Sequence, residues 1–239
     1  MNLVLDAGNT NTKIGIFNHK KLIHNTSTQS FSTDFLEKII FEYNKINIAC
    51  VSNTSSSIDY LARIFKKHNI KLINVDNNCI LPIEIKYKTP ETLGSDRIAL
   101  AVGAYKKYNN NVLVIDCGTC ITYDFMLHNI YMGGQITPGL KIRLQALNNF
   151  TENLPSVNFE SVIEFIGTTT KDSILSGLYY GVISEINGII QRYKSRYSNI
   201  KIILTGGDAH CFNNKIQDLN FIDPYLLMEG LNHIIATNE

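Results

Sequence analysis

One short pattern occurs twice in this chain, and it constrains the fold more than any other feature. The first copy is Leu5-Asp6-Ala7-Gly8-Asn9-Thr10-Asn11-Thr12-Lys13-Ile14-Gly15-Ile16-Phe17. The second is Ile115-Asp116-Cys117-Gly118-Thr119-Cys120-Ile121-Thr122-Tyr123-Asp124-Phe125-Met126. In each, an apolar strand ends on an Asp, a small residue and a Gly turn the chain through a hydroxyl-rich tip, and an alternating strand carries it back. The expectation is two β-hairpins facing one cleft.

The residue types at the tips indicate a chemistry. Gly8 permits close approach of backbone to a ligand, and Asn9 and Thr10 place donors beside exposed N–H groups, so the turn can act as an anion nest. Phosphate is the expected anion, with Lys13 as a point charge for a phosphoryl group. A carboxylate such as Asp6 repels phosphate unless a cation stands between them, so its expected role is to hold Mg²⁺, directly or through water, beside a nucleotide. A plain hairpin with a polar turn competes with this for either copy alone. Two copies in matching positions weaken that alternative.

Composition narrows the function classes. The chain has 239 residues and 44% hydrophobic content, enough for a substantial core. Its 22 basic and 21 acidic residues give a net charge of +1, which supplies no broad field for nucleic acid or an anionic membrane. No apolar run reaches the ~18 residues of a membrane span, and no basic, apolar export signal precedes Asp6, so a cytoplasmic location is expected. Five cysteines, an odd number, then read as reduced thiols. Cys117-x-x-Cys120 has zinc or redox spacing, but no second pair or His cluster accompanies it.

Along the chain, three strands are followed by alternating helix and strand, the order of a mixed sheet with helices packed on it. A helix starts at Ser32-Thr33-Asp34, with Asp34 and Glu37 in a capping relation. Strands are expected near Ile46–Ser52 and Lys71–Val75, separated by a Ser-rich link at Thr54–Ser57 and a helix over Ile58–Lys67. Periodicity is lost between Asp76 and Gly94, which reads as a functional loop. Gly94-Ser95-Asp96-Arg97 then opens a helix. A carboxylate in that first turn can take a proton from a hydroxyl, and Arg can grip a substrate carboxylate, although a first-turn Asp beside a surface Arg is the commoner pattern.

The second half restarts with a three-strand meander ending at Met132, a double-Gly turn at Gly133-Gly134, and a helix to Asn149. A long helix over Asp172–Tyr193 has apolar residues around more than one side, which fits a core helix or a subunit contact. Thr205-Gly206-Gly207-Asp208-Ala209 reads as a glycine turn starting a helix, and a last amphipathic helix spans Tyr225–Ala236. The boundary falls in the polar run Lys107–Asn111, giving lobes 1–110 and 111–239.

Five motifs in order carry a resemblance. They are Asp6-x-Gly8-Asn9-Thr10-x-x-Lys13, Tyr87-x-x-Pro90-x-x-x-Gly94-x-Asp96-Arg97, Asp116-x-Gly118-Thr119-x-x-Thr122, Gly133-Gly134-x-Ile136-x-Pro138-Gly139 and Thr205-Gly206-Gly207-Asp208-Ala209. Together the chain resembles type III pantothenate kinase over nearly its whole length. The resemblance implies an α/β, duplicated ribonuclease H-like (actin-like ATPase) fold with two lobes, each a mixed sheet flanked by helices. It also implies ATP-dependent phosphorylation of pantothenate to 4'-phosphopantothenate, the first step of coenzyme A biosynthesis.

Residue by residue, it implies that Asp6, Ala7, Gly8, Asn9, Thr10, Asn11, Thr12 and Lys13 form the ATP phosphate loop, with Thr119 a further ATP contact. Asp96 becomes the general base, and Tyr87, Gly94, Ser95, Asp96, Arg97 and Thr170 the pantothenate contacts. Asp116 becomes the site of a required monovalent cation, K⁺ or NH₄⁺, while Mg²⁺ accompanies ATP. Gly206 and Gly207 would lie near the nucleotide, and a homodimer is implied, with no nucleic-acid or membrane partner. Cys120 departs from the small residue usual at its position, and Thr168-Thr169 replaces the commoner Lys-Asn before Thr170. Two other functions stay open: a kinase for another small hydroxyl or carboxylate acceptor, and a non-catalytic nucleotide-binding regulator. Retention of Asp6, Lys13, Asp96 and Asp116 together argues against the second.

Overall fold

A computed structural model describes residues 1–8, 10–53, 59–76, 79–160 and 163–239. Asn9 and the Ser-rich link at 54–57 therefore lie outside the described residues.

Strand alternation builds the first sheet. β1 (Asn2–Ala7), β2 (Thr12–Asn18) and β3 (Lys21–Thr28) form an antiparallel meander, and β4 (Ile48–Asn53) and β5 (Lys71–Asn74) add parallel strands on the other side of β1. The order is β3-β2-β1-β4-β5. Leu3, Leu5, Ile14, Ile16, Ala49 and Val51 share one face and pack in one buried cluster with Leu36 and Ile39 of α1 (Thr33–Glu42) and Leu61 and Phe65 of α2 (Asp59–Lys67). A period of two then puts Val4, Asp6, Lys13, Gly15, Cys50 and Ser52 on the opposite face.

That opposite face carries α3 (Ser95–Tyr108) and α6 (Leu226–Asn238). These two helices cross at glycines: a Cβ on Gly230 would fall on the carbonyl of Ala99, and one on Gly103 would press on the Leu226 carbonyl. The backbones touch, so small-to-large substitution must push the helices apart. Gly230→Ala is therefore expected to destabilise the protein by ~1–3 kcal/mol despite the better helix propensity of Ala. Chemical denaturation of the two proteins measures this; equal stability would place the helices farther apart than described.

The second sheet repeats the first. It comprises β7 (Asn111–Cys117), β8 (Cys120–Leu127), β9 (Ile130–Pro138), β10 (Ile200–Thr205) and β11 (Phe221–Ile222), with the two-residue strand β6 (Glu84–Ile85) beyond β9. Read from β9, the order β9-β8-β7-β10-β11 is the order β3-β2-β1-β4-β5 again, and β10 is parallel to both β7 and β11, as β4 is to β1 and β5. α4 (Leu140–Asn149) and α5 (Thr170–Lys194) accompany this sheet, α5 burying Val182, Ile186 and Ile190 completely. This is the duplicated ribonuclease H-like arrangement that the resemblance implied, with one copy of the acidic turn in each sheet.

The chain forms two compact units, one of Met1–Asn109, Met126–Gly133 and Tyr225–Glu239, the other of Asn110–Phe125 and Gly134–Pro224. α6 thus packs with the first unit, where Lys107 reaches Glu229 at 2.7 Å and Asn2 reaches Asn232 at 2.8 Å.

Four local expectations are corrected. Gly133-Gly134 is no turn: β9 runs through it to Pro138, with Gly133 at φ 98°. The left-handed backbone at that φ is what favours glycine there, since a Cβ would make only ordinary contact, 3.5 Å, with the Tyr87 ring. The cap of α1 is the Ser32 hydroxyl, which accepts from the Phe35 N–H, whereas Glu37 pairs with Lys67 at 2.8 Å. Asp76–Gly94 is not wholly irregular, because β6 pairs with Ile130–Tyr131 of β9 and Pro90–Thr92 form a 3₁₀ turn. The turn after β10 leads only to a 3₁₀ turn, Ala209–Phe212.

Candidate active site

In the first unit the site is assembled by strand register. Asp6 pairs with Lys13 across the antiparallel β1–β2 ladder and with Ser52 across the parallel β1–β4 ladder, so all three share the face that carries α3. The Ser52 and Ser95 hydroxyls lie 3.1 Å apart, which ties the first residue of α3 to β4. Asp96 follows, accepting the Arg97 N–H on Oδ1 at 2.9 Å. A Cβ on Gly94 would collide with that same oxygen, so the glycine leaves space for the Asp96 carboxylate.

Asp6 is the electrostatic focus. It is 6% exposed, and its buried Oδ1 has no hydrogen-bond partner among the described residues. Burial pushes its carboxyl up to about 6; Lys13 and a hydrogen bond from Ser52 work against the rise, while the nearby charge of Asp96 adds to it. An orphaned, desolvated carboxylate beside a lysine and a second carboxylate has the chemistry of a divalent-cation ligand that needs phosphate oxygens to complete its shell. Among the described residues no cluster of three or more His, Cys, Asp or Glu could hold a metal unaided.

Arg97 is 6% exposed, with its guanidinium carbon 6.0 Å from the centre of the Tyr131 ring. Tyr87 lies 6.1 Å from Tyr131, delivered there by the β6–β9 pairing. The first unit thus brings Asp6, Lys13, Ser95, Asp96, Arg97 and Tyr87 onto one helix start and the strands beside it. Ala7 and Thr12 pair at the end of the β1–β2 ladder, and between them the Gly8 N–H donates to the Asn11 carbonyl at 3.2 Å while Thr10 is exposed.

In the second unit the matching turn is held by glycines. Asp116 pairs with Thr205 across the parallel β7–β10 ladder, and Gly206, at φ 96°, has no room for a Cβ against Asp116 Oδ1 and the Cys117 backbone. The Asp208 N–H donates to the Cys117 carbonyl at 2.9 Å, and the Gly139 N–H to the Thr119 carbonyl at 3.0 Å. Thr119 itself is exposed. Cys117 is buried and its thiol is pushed well above the ordinary range by desolvation, which fits a packing residue. Thr170, exposed at the start of α5, lines a cavity of about 690 Å³ between α4 and α5 together with Arg143 and Phe150.

Sequence reasoning passed over Ser52, Tyr131 and Glu185. Ser52 carried no signal without its register partner. Glu185 did, as a carboxylate inside the apolar run Val182-Ile183 to Ile186.

The type III pantothenate kinase family model matches residues 2–192. The chain is 38% identical to a type III pantothenate kinase of Christiangramia forsetii over 249 aligned positions, covering 100% of this chain and 99% of the relative. Among solved structures, a Campylobacter jejuni protein assigned to the Baf family of transcriptional activators superposes with a TM-score of 0.64 at 22% identity, over 99% of this chain and 98% of the other. The activator of 2-hydroxyisocaproyl-CoA dehydratase from Clostridium difficile, with bound ADPNP, superposes with a TM-score of 0.55 at 14% identity, over 99% and 94%. Both structural likenesses speak to the fold alone.

Proposed function

Because the chain belongs to the type III pantothenate kinase family, we propose that it transfers the γ-phosphoryl group of ATP to pantothenate with Asp96 as general base and a monovalent cation at Asp116. Phosphorylation of pantothenate, with ATP and a divalent metal, in coenzyme A biosynthesis is the activity of that family. The observation that carries the residue assignment is the pairing of Asp6 with Lys13 and Ser52 beside the Ser95–Asp96 helix start.

Direct phosphoryl transfer needs positioning and charge neutralisation more than covalent chemistry. Asp6 would hold Mg²⁺, which spreads the charge of the β- and γ-phosphates. Lys13 takes charge from the transferring group, and the backbone around Gly8 meets the phosphates. Asp96 accepts the proton of the pantothenate hydroxyl as its oxygen attacks phosphorus. Arg97 grips the pantothenate carboxylate, with Tyr87, Gly94, Ser95 and Thr170 shaping the acceptor site. In the second unit Thr119 contacts ATP. The oxygen donor Asp116, for whose carboxylate Gly206 leaves room, suits K⁺ or NH₄⁺.

We further propose a homodimer in a cytoplasmic setting. Large apolar side chains stand exposed near the start of α5 and the end of α4, with Phe150 at 88% and Ile166 at 75%. No helix among the described residues is long and apolar enough to cross a membrane.

The test is ADP release from Mg·ATP with and without pantothenate, across a panel of hydroxyl and carboxylate acceptors. Release stimulated by pantothenate alone supports the reading; equal release with a sugar points to another acceptor, and none with any points to a regulator. In the same assay K⁺ should outperform Na⁺, and Asp116→Ala should abolish that preference. A variant still stimulated by K⁺ would move the cation elsewhere.

A further inference from the structure

We infer that Glu185 is a positioning residue for the nucleotide: through Arg143 it holds the Thr137–Gly139 segment against the Gly118–Thr119 turn. The inference rests on the reading in which Thr119 meets ATP.

The geometry is a continuous chain of contacts within the second unit. Oε1 of Glu185 accepts from the Tyr123 hydroxyl at 3.0 Å and the Thr137 hydroxyl at 2.8 Å, while Oε2 accepts from Arg143 Nη2 at 2.7 Å. The guanidinium is shared onward, because Arg143 Nε donates to the Pro138 carbonyl at 2.7 Å. The next residue, Gly139, donates its N–H to the Thr119 carbonyl at 3.0 Å, and a Cβ on Gly139 would collide with the Gly118 and Thr119 carbonyls. Four elements, β8, β9, α4 and α5, thus meet on one carboxylate, which through Arg143 is three hydrogen bonds away from the turn.

Only an ionised carboxylate can accept all three donors. Burial opposes the charge, but the bonds from Arg143, Thr137 and Tyr123 outweigh it and hold Glu185 below the ordinary carboxylate range. The fork of Arg143 matters as much, since one planar group must reach Oε2 and the Pro138 carbonyl at once, which a lysine ammonium at the same place would not do. No group in the proposed chemistry touches Glu185, so its effect must pass through the backbone of Pro138 and Gly139.

The test separates positioning from bulk stability. For Glu185→Ala we expect KM for ATP, and Kd for a non-hydrolysable ATP analogue with Mg²⁺, to rise ~10-fold, with kcat and KM for pantothenate within ~2-fold. Arg143→Ala should raise the analogue's Kd by the same factor, and the double variant should have a Kd no worse than either single one, because both remove the same link; Arg143 also lines the Thr170 cavity, so the pantothenate readout is kept for Glu185→Ala. Arg143→Lys should fail to restore nucleotide affinity. If Glu185→Ala does not fold, Glu185→Gln, which keeps acceptors for Tyr123 and Thr137 but loses the charge, carries the test with a smaller rise. A lower melting temperature with unchanged nucleotide affinity would overturn the inference, as would a rise confined to KM for pantothenate. Failure of the parent reading looks different: altering the turn itself, as in Thr119→Ala, would then leave the analogue's Kd unchanged, whereas failure of the inference alone leaves the Thr119→Ala effect in place and removes only that of Glu185→Ala.

Discussion

Asp96→Asn lowers kcat by ~10² or more while leaving the Kd for Mg·ATP within a few-fold, the scale expected when a general base alone is lost. The substitution is nearly isosteric. Asn can still accept the Arg97 N–H that Asp96 takes at 2.9 Å, and Gly94 still leaves it room, so the start of α3 should keep its shape. What disappears is a group able to accept a proton from the acceptor hydroxyl. Removing the Asp96 charge should also ease Asp6, whose carboxyl that charge helps to push up. Single-turnover measurements in the presence of saturating ATP would isolate the chemical step. Turnover near the normal rate would remove Asp96 from the base role and leave it as a determinant of metal affinity.

How much of this was legible beforehand depends on whether a feature was local. The repeated Asp-x-Gly turn is local, and it foretold two matching hairpins, which recur as β1–β2 and β7–β8 within sheets that share a five-strand order, the second with β6 added. The start of α3 was also local: Gly94-Ser95-Asp96-Arg97 needs no distant partner to be recognised. Failures came where tertiary contact decided. Gly133-Gly134 looks like a turn until Tyr87, 46 positions earlier in the chain (133 minus 87), is brought against it by a two-residue strand too short to show any periodicity. Ser52 is an ordinary strand serine until parallel pairing sets it beside Asp6. Glu185 could be picked out as a charge in an apolar stripe, but its partners on three other elements could not be named from spacing.

The duplication also shows why the two turns are not interchangeable. Asp6 is nearly inaccessible, with an unsatisfied oxygen, whereas Asp116 is only partly buried and its turn is walled by Gly206 and Gly139. Lys13 follows the first turn, and Tyr123, a residue that donates to Glu185, stands in the second copy's return strand. One topology therefore supports a charged, desolvated turn suited to a small divalent ion and a more open one held by backbone contacts.

The desolvated turn makes a prediction in which stability and activity move in opposite directions. Asp6→Asn should abolish pantothenate-dependent ADP release to the extent of ~10² or more, since the amide keeps one oxygen but loses the negative charge that would hold the metal. The same change should stabilise the ligand-free protein at neutral pH. The Asp6 carboxyl is raised from the ordinary carboxylate range to about 6, so the folded state favours its protonated form. A raised pKa contributes stability that is fully present below pH ~4 and lost as pH climbs through about 6. Above that window the ionised side chain costs the folded state ~3 kcal/mol, the order of magnitude that follows from a carboxyl raised to about 6. The amide avoids this cost, so the gain of Asp6→Asn over the unmodified protein should be near zero at pH 4, grow between pH 4 and 6, and level off above. Urea denaturation of both proteins across that range measures it directly. Mg²⁺ with ATP should narrow the gap by stabilising only the unmodified protein, because ligand binding to the native state adds RT ln(1 + [L]/Kd). A stability difference that ignores pH would mean that Asp6 is not desolvated, and a variant that still responds to Mg·ATP would mean that the metal is held elsewhere.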